Sequence, residues 1–375
     1  MTTETAPSRL VSLDVFRGIT IAFMILVNQA GVADHVYAQL DHAPWHGWTL
    51  TDLVFPFFLF AVGMALSFSL KKHTESGQKP PASLYLKILK RSAMLFGIGL
   101  LLNGFYKYDL ASIRLMGVLQ RIALAYLFTS LIVLNMSAKK QWAVCGGLLL
   151  AYWLALTCIP VPGFGAGELT REGSFSSWID RLLVAKAHLY RGDGWNGLGD
   201  PEGIFSTLPA IAGTLTGYFT GEWVRTRRPA TRDILIAGAL TLGMGALWSV
   251  FFPINKKLWT SSYVLFTSGM ALFLFAACYE LADVRGRRAW LHPFEVLGAN
   301  SIFAFVASVF LIKILTKFSA GGGENAPSLF EWINSRCFES WLGPLNGPTV
   351  FAVVTLLFWW AVLYAMYRKR IFIKL

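Results

Sequence analysis

The chain has 375 residues, of which 55% are hydrophobic and only 14% are charged. A soluble globular domain carries about 25% charged residues, so this composition excludes an ordinary soluble protein and favours a membrane protein. The net charge of +12 does not indicate a nucleic-acid partner, because the basic residues lie in short runs between apolar stretches. No two of the four cysteines have metal-ligand spacing, and we predict no bound metal.

Ten segments are apolar over roughly the 20 residues that a helix needs to cross a bilayer. We therefore predict an all-α, polytopic transmembrane bundle of about ten spans, forming a single domain over residues 1–375. The predicted spans lie near residues 15–33, 50–70, 86–105, 116–136, 141–160, 204–224, 233–252, 259–281, 294–316 and 348–367. The stretches 161–203 and 317–347 are too polar to span, and we predict that they are loops.

Lysine and arginine are concentrated in alternate loops, which predicts the orientation of the chain. The richer set of loops contains Lys71, Lys72, Lys90, Arg91, Lys139, Lys140, Arg227, Arg228, Arg287, Arg288, Arg368 and Arg370. We expect these loops and both termini to be cytoplasmic, and residues 161–203 and 317–347 to be periplasmic. The polar N-terminus has no small-residue cleavage site, so no removable signal peptide is predicted.

Three glycines in the sixth predicted span, Gly213, Gly217 and Gly221, are spaced four residues apart. Small residues at this spacing allow two membrane helices to approach closely, so we predict tight helix packing. A second interpretation is that the close backbones shape a substrate groove.

Ionisable residues within a span are costly and usually have a partner or a function. Asp14 and Arg17 lie three apart on one helix face and can form an ion pair. Arg121 lies several residues inside the fourth predicted span, where it either forms a structural ion pair or binds an anion. Asn28 lies near the outer end of the first predicted span, and Asn300 lies near the start of the ninth.

His42 lies in the loop between Asn28 and Asp52. An imidazole can take a proton from an attacking nucleophile. An asparagine can donate a hydrogen bond to a developing oxyanion, and a carboxylate can fix the imidazole tautomer. The three residues therefore form a candidate acyl-transfer site. Asp52 has a simpler alternative, because a carboxylate at the start of a helix also caps it.

Several separated motifs recur in a recognisable order: SLDVFRG, HAPWHGWTLTDLVFPFF, RLMGVLQRIALAY, GDPEGIFSTLPAI, PINKKLWTSSYV and HPFEVLGANSI. Together they resemble the heparan-α-glucosaminide N-acetyltransferase family. The resemblance implies a membrane enzyme that moves acetyl from cytoplasmic acetyl-CoA to the amino group of a periplasmic, glucosamine-type sugar. The chain starts almost directly at SLDVFRG, so we expect a bacterial inner-membrane member.

The resemblance also implies roles for individual residues. His42 matches the catalytic histidine of the family, with Asn28 and Asp52 beside it, although His46 competes for that role. Candidate acetyl-CoA contacts are Asp14, Arg17, Gln120, Arg121 and Asn300. Candidate contacts to the sugar are Trp45, Trp195, Asp200, Glu202, Lys257 and Trp259, although the tryptophans could instead form an interfacial belt.

Two other functions share these features. An amino-sugar transporter without chemistry would also need polar residues within the membrane. An O-acetyltransferase of a periplasmic glycan would share the donor and differ in the attacking group. His42 could act as a general base or as a nucleophile that carries the acetyl group. The packing glycines permit a homodimer and do not require one.

Overall fold

A computed structural model describes residues 10–30, 35–75, 79–321 and 326–373. Within these ranges the structure is all-α, as predicted, and its only β pairings are two isolated bridges. The helices are α1 (Val11–Ala30), α2 (Leu50–Ser69), α3 (Lys71–Glu75), α4 (Ala82–Gly104), α5 (Val118–Asn135), α6 (Ala138–Cys158), α7 (Phe175–Leu183), α8 (Thr207–Arg227), α9 (Thr231–Trp248), α10 (Ser261–Tyr279), α11 (Arg288–Ala299), α12 (Ser301–Lys317), α13 (Leu329–Asn334) and α14 (Ser340–Arg368).

Six helical segments in the described part of the chain are long and apolar enough to cross a membrane, and the fold is that of a multi-pass membrane protein. They are Val11–Ala30, Leu50–Ser69, Val118–Asn135, Ala138–Cys158, Ser261–Val284 and Leu329–Arg368. The bent pair α11 and α12 adds a seventh if it forms one broken span.

The prediction of about ten spans is therefore not confirmed. Three of the predicted spans, near 86–105, 204–224 and 233–252, fall on α4, α8 and α9, which are helices of 23, 21 and 18 residues. These helices carry more charged or small polar residues than the other spans. Lysines and arginines interrupt α4, α8 is rich in threonine and glycine, and α9 begins with a charged pair. The predicted loops also contain helices, namely α7 in residues 161–203 and α13 in residues 317–347.

The chain forms two compact units. Among the described residues, the first contains 10–30, 35–37, 230–236 and 272–373, and the second contains 38–75, 79–229 and 237–271. In the first unit, α1 packs directly on α11. A Cβ atom at Gly18 would overlap the backbone of Phe294, and one at Gly298 would overlap the backbone of Asp14. The chain then bends by 70° between α11 and α12.

In the second unit, α2 and α8 pack backbone to backbone. A Cβ atom at Gly217 would overlap the carbonyl oxygen of Phe60, and a Cβ atom at Gly63 would overlap the carbonyl oxygen of Thr214. The predicted tight packing of the glycine-rich helix is thus confirmed at Gly217, and α2 supplies a matching glycine of its own. This contact fixes the helix whose first turn carries Asp52.

Gly217→Ala is expected to lower the melting temperature of the purified protein. The added methyl group has no room, and overpacking of this kind costs about 1–3 kcal/mol. Gly213→Ala is the matched control, because a Cβ there would meet Val264 only at an ordinary contact distance of 3.5 Å. Alanine within a helix is more stable than glycine by about 0.5–1 kcal/mol, so the control should have an unchanged or higher melting temperature. Equal melting temperatures for the two variants would contradict the packing argument.

Candidate active site

The loop before α2 is folded onto the first turn of that helix. Thr49, the residue before the helix, donates a side-chain hydrogen bond to the carbonyl oxygen of Asp41 at 2.6 Å. Asp52 lies in the first turn, where its Oδ2 accepts the backbone N–H groups of Thr49 at 3.0 Å and of Ala43 at 3.1 Å. The carboxylate therefore caps the helix and holds the part of the loop that follows His42.

The other oxygen of the same carboxylate faces the imidazole. His42 Nδ1 lies 2.7 Å from Asp52 Oδ1. Asp52 is fully buried, whereas the His42 side chain is 39% exposed and can be reached by a substrate. When the Nδ1–H group donates a hydrogen bond to the carboxylate, Nε2 carries a lone pair and can accept a proton. Asp52 therefore caps the helix through Oδ2 and contacts the imidazole through Oδ1, while its role as an orienting acid stays a prediction.

Lys256 is a neighbour of His42 that the sequence did not single out. Its Nζ lies 3.2 Å from Nδ1 and 3.0 Å from Nε2, and 4.0 Å from Asp52 Oδ1. The two distances are nearly equal, so the ammonium contacts both ring nitrogens. Burial and then the Lys256 charge lower the pKa of His42, and Asp52 opposes part of this effect. Burial likewise lowers the pKa of Lys256.

His46, the competing histidine, has different surroundings. Its Nδ1 lies 3.4 Å from the side-chain nitrogen of Asn255. No carboxylate contacts its ring among the residues that the structure describes. Of the two histidines, His42 is therefore the one whose ring contacts a carboxylate, as a base held by an acid requires.

Aromatic and basic side chains line the loop next to His42. Trp45 donates a hydrogen bond to the carbonyl oxygen of Leu169 at 2.9 Å, and its ring lies 5.8 Å from that of Trp195. Arg171 lies over the Trp45 ring at 5.1 Å. Lys257 donates to the carbonyl oxygen of Pro44 at 3.1 Å. Among these predicted sugar contacts, Trp45 is half-buried, whereas Trp195 is almost completely buried.

Asp200 and Glu202, also predicted to contact the sugar, form a buried ion cluster with Arg114. The Arg114 guanidinium donates to both carboxylates, including a 2.8 Å bond from Nε to Asp200 Oδ2. Burial raises the pKa of Asp200 despite this partner. The positive charge of Arg114, with that of nearby Arg121 and Lys256, holds the pKa of Glu202 below its usual value in spite of burial.

Arg121 is completely buried. Its Nη2 donates to the carbonyl oxygen of Gly203 at 3.3 Å and to the hydroxyl of Ser206. Its guanidinium lies 4.7 Å from the centre of the Trp259 ring, which is itself buried. Nε and Nη1 have no hydrogen-bond partner within the described ranges, and Arg121 makes no direct ion pair there. The adjacent Gln120 is also buried.

The remaining predicted residues belong to the first unit. Asp14 and Arg17 form the predicted pair, with 3.5 Å between Oδ1 and Nη1, and Arg17 also donates to Ser301 at 3.0 Å. Asn300 bonds the C-terminal segment, donating to the carbonyl oxygen of Ile371 at 3.0 Å. Asn28 lies half-buried in α1. Its proximity to His42 stays a prediction.

Comparison with known proteins identifies relatives of the chain. A family profile described as "Heparan-alpha-glucosaminide N-acetyltransferase, catalytic" matches residues 9–176. A protein of that name from Homo sapiens is 32% identical over 424 aligned residues, which cover 98% of this chain and 60% of the relative. The Mus musculus protein of the same name is 28% identical, and the alignment covers 100% of this chain and 62% of the mouse protein. The chain thus spans about three fifths of the length of these relatives.

The predicted family resemblance is confirmed. The part of the chain that matches the profile contains His42, Asp52, Arg114 and Arg121. The similarity to the two heparan-alpha-glucosaminide N-acetyltransferases extends further, over nearly the whole chain. Lys256 lies in that further part.

Sequence reasoning missed two residues that organise this region, Lys256 and Arg114. Lys256 directly precedes Lys257, the predicted sugar contact, in the sequence. Arg114 begins the RLMGVLQR motif and precedes the predicted span that contains Arg121. The sequence does contain one signal, because the acids Asp200 and Glu202 lie just before the predicted span 204–224. Acids that become buried beside a span require a basic partner.

Proposed function

We propose that the chain is an acetyltransferase that moves an acetyl group from acetyl-CoA to the amino group of a glucosamine-type sugar. The observation that carries this proposal is the 2.7 Å contact between His42 and Asp52, on a loop that leaves the imidazole partly exposed. The names of the relatives support the type of reaction and the class of acceptor.

In the proposed reaction, His42 is the general base. The sugar nitrogen attacks the thioester carbon and forms a C–N bond while Nε2 of His42 takes a proton from that nitrogen. The C–S bond then breaks, and the imidazolium returns the proton to the sulfur of CoA. Asp52 holds the ring and stabilises the transient imidazolium, as acids do in other acyl-transfer sites. Asn28 is proposed to donate to the oxyanion.

Acetyl-CoA is proposed to arrive from the cytoplasm and the acceptor from the periplasm of a bacterial inner membrane. The distribution of lysine and arginine between loops supports this orientation, with both termini cytoplasmic. Arg17, whose side chain is partly exposed near the predicted cytoplasmic end of α1, is proposed to assist binding of the donor, because guanidinium groups suit phosphate oxygens.

An acceptor panel tests the proposed function. The purified protein is mixed with isotope-labelled acetyl-CoA and with glucosamine, glucosamine oligomers and matching sugars that have only hydroxyl groups. Mass spectrometry is expected to find label on the amino sugars. Label on hydroxyl sugars alone would indicate an O-acetyltransferase. Uptake of labelled sugar into vesicles without acetyl-CoA would indicate a transporter.

Lys256→Met is expected to move the acidic limb of the kcat/KM profile to higher pH. The base must be neutral to accept a proton, so activity falls as the pH drops through the pKa of His42. The Lys256 charge lowers that pKa, and removal of the charge raises it again. The pKa of the sugar amine is the same for both proteins and cancels in the comparison.

Lys257→Met is the matched control for this shift. The Lys257 charge also lowers the pKa of His42 but does so more weakly than the Lys256 charge, so removal of Lys257 should move the acidic limb less. A profile for Lys256→Met that coincides with that of the wild type, in a protein with unchanged melting temperature, would refute an electrostatic effect of Lys256 on His42.

A further inference from the structure

A second candidate site lies in the first unit, at the end of α14. A cavity of about 380 Å³ is lined by four rings and two guanidinium groups. The lining residues are His292, Tyr364, Tyr367, Arg368, Arg370 and Phe372. Cavities that bind small organic ligands begin at roughly 300 Å³, so this one has room for more than a single inorganic ion.

The rings of this pocket pack against one another. The centre of the His292 ring lies 5.4 Å from that of Tyr367, and Tyr367 lies 6.1 Å from Phe372. Tyr364 is backed by Trp360, whose ring is stacked on it at 5.1 Å. A pocket wall of packed rings offers flat apolar surface to an aromatic or aliphatic group.

The two arginines supply positive charge at one wall of the pocket. Within residues 10–30, 35–75, 79–321 and 326–373, neither Arg368 nor Arg370 has an ion pair or a side-chain hydrogen bond. A carboxylate does border the rings, since Glu295 Oε2 lies 3.9 Å from His292 Nδ1. Two unpaired guanidinium groups on an aromatic wall are suited to the oxygens of a phosphate group.

The backbone holds these arginines in place. After α14 ends, Arg370 has a φ of +55°, in the left-handed region that is uncommon for a residue with a side chain. The segment that follows is tied back by Asn300, which donates to Ile371 O at 3.0 Å and accepts from Ile373 N at 2.8 Å. Asn300, predicted to contact acetyl-CoA, therefore positions one wall of this pocket.

We propose that this pocket binds a phosphate ester, with the phosphate on Arg368 and Arg370 and the esterified group against the rings. Two sources share this chemistry: the nucleotide part of a CoA thioester, and the headgroup of an anionic phospholipid at the end of a membrane-spanning helix. The proposal concerns binding alone and does not depend on acetyl transfer at His42.

The test compares three single variants of the full chain, each of which removes one positive charge. Arg368→Gln and Arg370→Gln alter the pocket, whereas Lys369→Gln is the control, because Lys369 lies between them and does not line the cavity. In the nucleotide arm, calorimetry measures binding of adenosine 3′,5′-bisphosphate, with adenosine as the probe without phosphate. In the lipid arm, native mass spectrometry counts phosphatidylglycerol retained from mixed phosphatidylcholine nanodiscs.

Loss of one charge-assisted hydrogen bond to phosphate is expected to weaken binding about tenfold or more. Such a loss in both arginine variants, and not in Lys369→Gln, would establish the site. Weaker binding of adenosine 3′,5′-bisphosphate would assign the site to the nucleotide, and weaker retention of phosphatidylglycerol would assign it to the lipid. The proposal is overturned if neither probe distinguishes the arginine variants from the control. Acetyl transfer, measured separately, reports on the proposed function, because adenosine 3′,5′-bisphosphate carries no acetyl group.

Discussion

His42→Ala is expected to lower kcat/KM for acetyl transfer from acetyl-CoA to glucosamine by about 10²–10⁴-fold, the usual contribution of a general base. The Asp52 carboxylate would remain in place, because its Oδ2 is held by two backbone N–H groups that do not depend on the imidazole. The variant should therefore fold and melt like the wild type. Initial rates with labelled acetyl-CoA measure the effect.

His46→Ala is the matched control for this prediction. His46 is on the same loop and its ring is not held by an acid, so its loss should change the rate only a few-fold. A His42→Ala protein that keeps activity within a few-fold of the wild type would rule out His42 as the base. Ping-pong patterns in wild-type kinetics would instead indicate that His42 carries the acetyl group.

Arg114→Met is expected to destabilise the protein by about 3–5 kcal/mol, the usual result of removing one partner from a buried ion pair. Asp200 and Glu202 would be left as two neighbouring buried carboxylates with no guanidinium between them. Burial and mutual repulsion would then raise both pKa values above those of the unfolded chain. The loss of stability should be seen as a lower melting temperature in detergent.

The same variant should show a distinct pH dependence. When the folded pKa of a carboxyl exceeds its unfolded value, the folded state binds more protons, so stability falls as the pH rises above about 4. The melting temperature of Arg114→Met should therefore drop further below the wild type at pH 8 than at pH 5. Adding Asp200→Asn and Glu202→Gln removes both charges and should restore much of the loss. A pH-independent deficit would show that lost packing dominates.

Local spacing predicted the parts of the structure that depend on local geometry. The three-residue interval between Asp14 and Arg17 predicted their pairing, and the glycine spacing predicted a close contact at Gly217. The link between His42 and Asp52 spans only ten residues and was accessible to the same reasoning. Such contacts follow from helical periodicity and from short loops, and both can be recognised from the spacing of residues in the sequence.

Contacts between distant segments could not be predicted in this way. Lys256 reaches His42 across 214 residues, and Arg114 reaches Asp200 across 86. No periodicity or spacing relates such positions, because tertiary packing brings them together. The prediction of about ten spans is not confirmed for a related reason. Long helices such as α8 have a large share of small polar residues, and tertiary contacts such as those of α8 with α2 help to stabilise them.

The hydrogen bonds of Asp52 also limit which residues can replace it. At its Oδ2, two backbone N–H groups converge, and both require an acceptor. An asparagine has the same shape but only one acceptor oxygen, which those two donors would claim. Its NH₂ group would then point at Nδ1 and force the imidazole proton onto Nε2, the atom proposed to accept a proton from the substrate. Asparagine, although it is closest to aspartate in size and shape, would thus exchange the hydrogen-bond donor and acceptor nitrogens of the imidazole.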